Sequence, residues 1–314
     1  LTAFTVDTTV AAATQTTAVS TPGKDQTPDV TYSVTEAGTI VYGGDCDGAD
    51  TSAASGTNTV TLDGNGAGGN LAEGTYDDCT ITFTDLAGNA ASALDLTTFV
   101  IDITAPTRSE STVVSTPGKD QTPDIGITVS EAVTAVYGGD CDSQESSLSS
   151  GANTITLEDD AGSYGNLAAG TYSDCTITIT DLAGNTAAAG ALTFTQFIID
   201  LSVAAATETT AVSTPDNDAT PDVVINVAEA GTIAIGGTSG CDSSETAVTS
   251  GANTITLDSN GAGGSMTDGA YTCTVTFTDS AGNAASALTL TAFTVDATQP
   301  TRSESTVVST PGKD

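Results

Sequence analysis

The stretch GTYDDCTITFTDLAGN at residues 74–89 decides the fold class, because a strand pattern, a cysteine and a turn follow one another in it. Cys79, Ile81 and Phe83 alternate with threonines, and this period of two is typical of a strand with one buried face. The DLAGN segment at residues 85–89 has the Asp, Gly and Asn residues of a tight turn. The same succession returns as GTYSDCTITITDLAGN at 170–185 and as GAYTCTVTFTDSAGN at 269–283.

Other segments recur with the same period, which is about 96 residues. TPGKDQTPDV at 21–30 returns as TPGKDQTPDI at 116–125 and as TPDNDATPDV at 214–223. LTAFTVD at 1–7 is identical to LTAFTVD at 290–296, so we expect the chain to be a segment of a longer array. We predict five segments: the last strand of a preceding repeat at 1–7, three immunoglobulin-like repeats at 8–102, 103–200 and 201–296, and the first strand of a following repeat at 297–314.

Further short runs with a period of two lie between these motifs, and clusters of Gly, Pro, Asn and Asp separate them. Examples are VTYSVTE at 30–36, NTVTL at 58–62 and LTTFVID at 96–102. No window has the spacing of an amphipathic helix. Strands at intervals of roughly ten residues, in units of roughly 100 residues, predict an all-β fold of tandem immunoglobulin-like β-sandwiches with about seven strands each.

The six cysteines form three evenly placed pairs, one in each predicted repeat. They are Cys46 with Cys79, Cys141 with Cys175, and Cys241 with Cys273. With no CxxC spacing and no histidine, metal or redox chemistry has no supporting residues, and we expect one disulfide in each repeat. Closing a loop of about 33 residues stabilises a fold by ~3–4 kcal/mol in the chain-entropy model. Disulfides indicate an oxidising, extracellular location.

GTYDDCTITFTDLAGNAAS at 74–92, followed by FVIDITAPT at 99–107, resembles the last strands and linker of bacterial immunoglobulin-like domains, which occur in tandem in very large surface adhesins. Tyr76, Tyr172 and Tyr271 resemble the tyrosine corner of such sandwiches. There are departures: no tryptophan is present, and Cys46 follows the third strand instead of lying in the second, so the bridge differs from the antibody type. The resemblance implies a structural role in a stalk, an adhesin or a filament.

Composition excludes several classes of function. The formal net charge is −35, with 40 acidic and five basic residues, which disfavours binding to nucleic acid and to anionic membrane surfaces. No apolar run is long enough to cross a membrane, so we expect no membrane insertion in this segment. Without histidine the usual nucleophilic triads are impossible, and acids spread over near-identical repeats leave no unique catalytic pair, so we expect no enzyme.

Acidic residues recur at positions that the predicted topology brings together. In a seven-stranded antiparallel repeat the first and last strands run in the same direction, so the turn after the second strand and the DLAGN turn lie beside the preceding linker. This predicts three groups: Asp7 with Glu36, Asp85 and Asn89; Asp102 with Glu131, Asp181 and Asn185; and Asp200 with Glu229, Asp279 and Asn283. Calcium prefers such oxygen ligands, and the resemblance also implies arrays stiffened by calcium. We predict Ca²⁺ at the inter-domain junctions, and the alternative is that DLAGN is only a locally hydrogen-bonded turn.

Two functions remain open from the sequence. The first is the shaft of an adhesin or stalk, whose partners are neighbouring repeats of the same protein. The second is a homopolymer, in which the chain is the subunit of an extracellular filament or sheath joined by strand complementation. A carbohydrate-binding module is disfavoured, because the Tyr and Phe residues mostly fall on inward-facing positions.

Overall fold

The computed structural model describes residues 3–159 and 165–303, and within them the protein is all-β, as the sequence predicts. Contacts group the chain into two compact units. Unit 1 comprises Leu1–Val114, Thr122–Gly165 and Ser173–Thr195, and unit 2 comprises Ser115–Gln121, Asn166–Tyr172 and Gln196–Asp314. The described residues contain no helix with the length and apolar character needed to span a membrane. Residues 304–314, most of the predicted first strand of a following repeat, lie outside the described part.

Unit 1 contains sixteen of the described strands. Its first nine are β1 (Ala13–Thr17), β2 (Asp29–Val34), β3 (Gly38–Gly43), β4 (Ser52–Ala53), β5 (Gly56–Thr61), β6 (Gly74–Tyr76), β7 (Thr80–Asp85), β8 (Leu94–Asp95) and β9 (Phe99–Ile101). The others are β10 (Arg108–Thr112), β11 (Asp124–Val129), β12 (Val133–Gly138), β13 (Ser147–Leu148), β14 (Gly151–Thr156), β16 (Thr176–Asp181) and β17 (Leu192–Thr193). They form antiparallel sheets with the orders β1-β2-β5, β4-β3-β7-β8, β6-β9, β10-β11-β14 and β13-β12-β16-β17.

Unit 2 contains the other eleven described strands. They are β15 (Gly170–Tyr172), β18 (Phe197–Ile199), β19 (Thr207–Thr210), β20 (Asp222–Val227), β21 (Gly231–Gly237), β22 (Ala247–Val248), β23 (Gly251–Thr256), β24 (Gly269–Tyr271), β25 (Cys273–Asp279), β26 (Leu288–Thr289) and β27 (Phe293–Val295). Their sheet orders are β15-β18, β19-β20-β23, β22-β21-β25-β26 and β24-β27.

The same series of nine strands therefore occurs three times along the described chain, each time with the same pairing pattern. The sequence predicts about seven strands in each series. The difference arises partly because Ser52–Ala53 and Leu94–Asp95, and their counterparts, pair as two-residue edge strands. Runs this short are too brief for a recognisable period of two in the sequence.

The period of two in the sequence becomes alternate burial in the structure. Val30, Tyr32 and Val34 are buried on β2, and Ile81 and Phe83 are buried on β7, as the pattern predicts. Side chains from all three sheets of β1–β9 join one apolar cluster in unit 1. A second cluster in unit 2 joins the sheets of β19–β27 in the same way. Each fully buried aliphatic or aromatic side chain contributes about 1.5–3 kcal/mol to such a cluster.

All three predicted disulfides are present, with Cα–Cα distances of 5.3 Å for Cys46–Cys79, 5.2 Å for Cys141–Cys175 and 5.7 Å for Cys241–Cys273. Cys46 follows β3 and Cys79 precedes β7, and these two strands are neighbours in one sheet. The bridge therefore fastens the ends of paired strands within a sheet. This location agrees with the departure from the antibody-type bridge that the sequence indicates.

A tyrosine supports the chain just before each second cysteine. The Tyr76 hydroxyl donates to the Ala72 carbonyl at 2.9 Å, and its ring stacks on Phe99 with centroids 5.1 Å apart. Tyr172 and Tyr271 make the equivalent bonds, to Ala168 at 3.0 Å and to Thr267 at 2.8 Å. In each case a hydroxyl on a largely buried ring bonds the backbone four residues upstream, which fixes the start of the following strand.

Candidate metal centre

The DLAGN turn begins where β7 ends and is held together by a buried aspartate. Asp85 is 5% exposed, and its Oδ1 accepts the backbone N–H groups of Ala87 and Asn89, each at 2.8 Å. Gly88 has a φ of 93°, a left-handed conformation that favours glycine. The local hydrogen bonds expected of a tight turn are therefore present. Asp181 and Asp279, the last residues of β16 and β25, accept the equivalent bonds from the backbone N–H groups of Asn185 and Asn283.

The asparagine that ends each turn connects the turn to the preceding linker. The Asn89 side-chain nitrogen donates to Asp85 Oδ2 at 2.8 Å and to the Asp7 carbonyl at 3.2 Å. Asn185 bonds the Asp102 carbonyl at 2.9 Å, and Asn283 bonds the Asp200 carbonyl at 2.8 Å. The amide nitrogen thus holds the linker backbone against the turn. Each predicted asparagine ligand can therefore offer a cation its side-chain amide oxygen, because the amide nitrogen is a hydrogen-bond donor.

The structure brings the predicted acidic residues together in three groups. Each group has one aspartate from a linker, one glutamate from the turn after the second strand of a series, and the aspartate of the DLAGN-type turn. Within each group one carboxylate oxygen from every residue lies within 4.8 Å of the others; the groups are Asp7, Glu36 and Asp85; Asp102, Glu131 and Asp181; and Asp200, Glu229 and Asp279. The first two groups lie in unit 1 and the third lies in unit 2.

The electrostatics of the groups favour a positive charge among the carboxylates. Burial raises the pKa of Glu131 above its ordinary value, and the charges of Asp102 and Asp181 raise it further. The pKa values of Glu36 and Glu229 are raised by burial and by their own aspartate neighbours. The pKa of a carboxyl in such a group rises because a second negative charge nearby disfavours ionisation, so a proton or a cation relieves the repulsion.

The donor set fits a hard divalent cation. Calcium takes six to eight oxygen ligands from carboxylates, amide or backbone carbonyls and water. Each group offers three carboxylates, and the asparagine amide oxygen lies on the same turn. The groups contain no cysteine or histidine, the ligands that zinc and copper favour. The residues Asp102, Glu131, Asp181 and Asn185 would hold the ion in the second group, and the equivalent residues would hold it in the others.

The second group has a fourth carboxylate nearby, which the sequence interpretation missed. Glu73 lies just before β6, and its Oε2 accepts the Thr104 hydroxyl at 2.7 Å. Its charge contributes to raising the pKa of Glu131. The equivalent residue in the next series is Ala169, so the third group lacks this carboxylate. The sequence does show a glutamate in LAEGTY at 71–76 where the next repeat has alanine, in LAAGTY at 167–172. The repeat pattern alone does not indicate that this glutamate lies near the Asp102 group.

Two of the few basic residues also reach the turns. The Lys24 ammonium donates to the Gly184 carbonyl at 2.5 Å in unit 1, and the Lys119 ammonium donates to the Gly282 carbonyl at 2.6 Å in unit 2. Both lysines come from TPGKD segments, and both acceptors belong to DLAGN-type turns. The third such segment has Asn217 at the lysine position. These contacts were not predicted from the sequence.

Comparison with known proteins assigns no family. No family model matches the chain, and no curated protein matches it. Among solved structures, dimeric latent PorU from Porphyromonas gingivalis is 13% identical with a TM-score of 0.23, over 92% of this chain and 34% of that one. The native conformation of alpha-2-macroglobulin from E. coli is 11% identical with a TM-score of 0.17, over 89% of this chain and 23% of that one. The chain spans about a third or less of either protein, and similarity this low assigns no function.

Proposed function

We propose that the chain is a structural segment of an extracellular, cell-surface repeat array, which serves as the shaft of an adhesin or stalk and carries no catalytic activity. Its repeats would be immunoglobulin-like β-sandwiches at residues 8–102, 103–200 and 201–296. Intrachain disulfides support the location, because such bonds persist in oxidising compartments. The absence of histidine from the sequence supports the non-catalytic role.

The immunoglobulin-like assignment is supported by the pairing pattern and by the tyrosines. Each series has a three-stranded sheet, a four-stranded sheet and a two-stranded sheet, and in the first and third series all three contribute to one apolar cluster. The hydroxyls of Tyr76, Tyr172 and Tyr271 bond the backbone four residues upstream, as in a tyrosine corner. A disulfide within one sheet distinguishes these repeats from antibody domains.

The observation that carries the proposal is the convergence of three carboxylates where a linker meets the following turns. Asp102 belongs to the linker, whereas Glu131 and Asp181 belong to the strands that follow it, and their carboxylate oxygens lie within 4.8 Å of one another. A calcium ion bound there would join the linker to the repeat after it. Without the ion the same three charges repel, so calcium would set the stiffness of the junction.

The test is electron microscopy of single molecules of the full chain, negatively stained in calcium and in chelator. We expect rods of uniform contour length and small bending angles in calcium, and a wider distribution of bending angles in chelator. Isothermal titration should give calcium binding with up to three sites per chain, one for each group of carboxylates.

The matched control is the triple variant Glu36→Gln, Glu131→Gln and Glu229→Gln. It removes one ligand charge from each group and leaves the turn aspartates and their hydrogen bonds unchanged. We expect the variant to resemble the chelated chain at every calcium concentration. If calcium neither binds nor alters the bending angles of the native chain, the calcium-stiffened shaft is wrong.

A second candidate function is a subunit of an extracellular filament or sheath. One observation favours it: the described sheets are open, so edge strands such as β1 and β5 in the order β1-β2-β5 can pair with a strand from another copy. Helically ordered fibres formed by the purified chain in electron micrographs would favour this function over an isolated shaft.

A further inference from the structure

The sequence contains two Asn-Gly pairs, and they occupy equivalent places in the fold. Asn65-Gly66 lies between β5 and β6, and Asn260-Gly261 lies between β23 and β24. In such a pair the backbone nitrogen of the glycine can attack the side-chain amide of the asparagine, because no Cβ hinders the approach. Gly66 and Gly261 have φ values of 65° and 67°, which favour glycine, so the shape of each loop and the reactive pair require the same residue.

The side-chain carbonyl of each asparagine is held by two backbone N–H groups. Asn65 Oδ1 accepts the N–H groups of Ala67 and Gly69, each at 3.0 Å. Asn260 Oδ1 accepts the equivalent N–H groups at 3.0 Å and 2.9 Å. The bond to the residue two positions on folds the side chain back toward the intervening glycine nitrogen. Two donors at this distance stabilise the negative charge that develops on the oxygen when a nucleophile attacks the carbon, as in an oxyanion hole.

The glycine nitrogen of each pair lies against a buried carboxylate. The Gly66 backbone N–H donates to Asp63 Oδ1, and the Gly261 backbone N–H donates to Asp258 Oδ1. Both aspartates are 2% exposed. Hydrogen bonds from the backbone, the one from Asn65 first among them, lower the pKa of Asp63 below its ordinary value, so this carboxylate is ionised at neutral pH. An ionised carboxylate within hydrogen-bond reach of an N–H can accept its proton as a general base.

We propose that Asn65 and Asn260 are self-modifying sites, at which the fold converts asparagine to aspartate or isoaspartate. The nitrogen of the following glycine bonds to the side-chain carbon while its proton passes to the neighbouring aspartate. The side-chain amide nitrogen then leaves with that proton as ammonia, which closes a cyclic succinimide. Water opens the ring at either carbonyl, and each site gains one negative charge. This is a single change in the chain itself, and it is independent of the shaft or filament function and of calcium.

The loops also suit the product of the reaction. The N–H groups of Ala67 and Gly69 would bond a carboxylate oxygen in the place of the Asn65 amide oxygen, and such charge-assisted bonds are roughly twice as strong as neutral ones. Asn65 and Asn260 are both exposed, so the water that opens the ring can reach them.

Asn89 provides a comparison within the same chain. It is followed by Ala90, whose Cβ hinders the attack. Its side-chain nitrogen, the group that would have to leave, donates to Asp85 Oδ2 at 2.8 Å and to the Asp7 carbonyl at 3.2 Å. We therefore expect no assisted conversion at Asn89.

The first experiment compares the folded chain with the same chain unfolded. The full chain is purified in denaturant at acidic pH, where the cyclisation is slow; one half is refolded with its disulfides re-formed, and the other half stays reduced in guanidinium chloride. Both halves are incubated at neutral pH in water enriched in the heavy oxygen isotope. Peptide mapping by mass spectrometry then measures how fast the isotope enters each asparagine position.

We expect Asn65 and Asn260 to convert about 10²-fold faster in the folded chain, because one oxyanion donor or one general base alone contributes a factor of this size. Asn89 should not convert faster in the folded chain than in the unfolded one. Conversion of Asn65 and Asn260 in the folded chain at the rate of the unfolded chain, or more slowly, would overturn the inference.

The second experiment removes one carboxylate and keeps the other loop as the control in the same molecule. In Asp258→Asn the amide is similar in shape to the carboxylate but is not a base, so conversion at Asn260 should slow by about 10²-fold while Asn65 keeps its native rate. A native rate at Asn260 in this variant would refute the role of the carboxylate. The comparison of folded with unfolded chain needs no substitution, so it decides the inference even if Asp258→Asn loosens its loop.

A third measurement identifies the product by its charge. The double variant Asn65→Asp and Asn260→Asp has the charge of the fully converted chain. On isoelectric focusing the aged native chain should move to the position of this variant, and the variant itself should not move with time. A native chain that keeps its position during the same incubation would contradict the conversion.

Discussion

The DLAGN turns at 85–89 and 181–185 have the same sequence, and in both the aspartate accepts the backbone N–H of the asparagine, yet their surroundings differ. A Cβ at Gly184 would lie 3.6 Å from the Lys24 ammonium, whereas a Cβ at Gly88 would meet nothing within 4 Å. Asp7 is exposed beside the first turn, and Asp102 is half-buried beside the second. The shape of the turn is thus determined by its own residues. Its charged and buried surroundings are determined by the residues that precede the linker.

The aspartate of the turn and the glutamate have different roles in each group of carboxylates. Asp85 and Asp181 hold their turns through hydrogen bonds from the backbone and from an asparagine. Among the described residues the glutamates have no such bonds to the turn, and Glu131 accepts a hydrogen bond from the Ser130 hydroxyl at 3.5 Å. We therefore expect aspartate substitutions to affect folding and glutamate substitutions to affect ion binding.

The largest effect should come from Asp181→Ala. The change leaves the backbone N–H and the side-chain amide of Asn185 without their acceptor, which costs about 3 kcal/mol of unfolding free energy. Because Asp85 accepts the equivalent bonds from Asn89 and one more from Ala87, Asp85→Ala should destabilise its own turn in the same direction. Urea denaturation of both variants, followed by tyrosine fluorescence in chelator, measures the effect. A destabilisation confined to Asp181→Ala would show that the turns are not locally determined.

The next effect concerns calcium and the fourth carboxylate. Glu73 lies near the Asp102 group, and Ala169 is the equivalent residue in the series that precedes the Asp200 group. We expect Glu73→Ala to weaken calcium binding at the Asp102 group about fivefold, which is roughly 1 kcal/mol, the size of an exposed ionic contact.

The reciprocal change Ala169→Glu should strengthen calcium binding at the Asp200 group by a similar factor. Titration calorimetry of both variants against the native chain measures the difference. If neither affinity changes, the difference between the junctions lies elsewhere than in this carboxylate.

A smaller effect on stability should appear when the pH is changed in the absence of calcium. The folded-state pKa values of Glu36, Glu131 and Glu229 are raised by burial and by aspartate neighbours. A group with a raised folded pKa contributes stability that is fully present below the unfolded value and is lost as the pH rises through the folded value. In chelator the chain should therefore become more stable as the pH falls from 7 toward the ordinary glutamate value of 4.5.

At still lower pH the stability of the chain in chelator should decrease again. Hydrogen bonds lower the pKa of Asp85, so its contribution is lost as the pH falls below the ordinary aspartate value of 3.8. Melting temperatures measured from pH 7 to pH 3 should pass through a maximum. The variant Glu131→Gln should show a smaller rise than the native chain, and an unchanged rise would contradict the assignment to this group.

Local patterns explain why much of this arrangement was predictable from the sequence. Alternation in CTITFTD predicted the buried face of β7, and the spacing of the cysteines predicted their pairing. The convergence of Asp102, Glu131 and Asp181 followed from strand order alone, because consecutive antiparallel strands determine which loops share an end. The conclusion that they bind calcium stays a prediction.

Other features depended on contacts that no local pattern encodes. Glu73 and Lys24 reach the second group from loops that are distant in sequence from Asp181, and their positions depend on how the linker leaves β9. The asparagine orientation was also unpredictable, since an amide side chain offers either its oxygen or its nitrogen to a neighbour.

The smallest effect should come from the lysine contact, and it bears most directly on the comparison between the two turns. Lys24→Met removes the hydrogen bond to Gly184, a change of about 0.5–1 kcal/mol at an exposed site. The amides of residues 181–185 should then exchange with solvent as fast as those of 85–89, because no lysine in the described part of the chain lies beside Gly88. Lys24→Arg keeps a donor and should preserve part of the protection. Hydrogen exchange measured by NMR in chelator distinguishes these cases, and unchanged exchange at 181–185 in Lys24→Met would mean that the contact does not hold the turn.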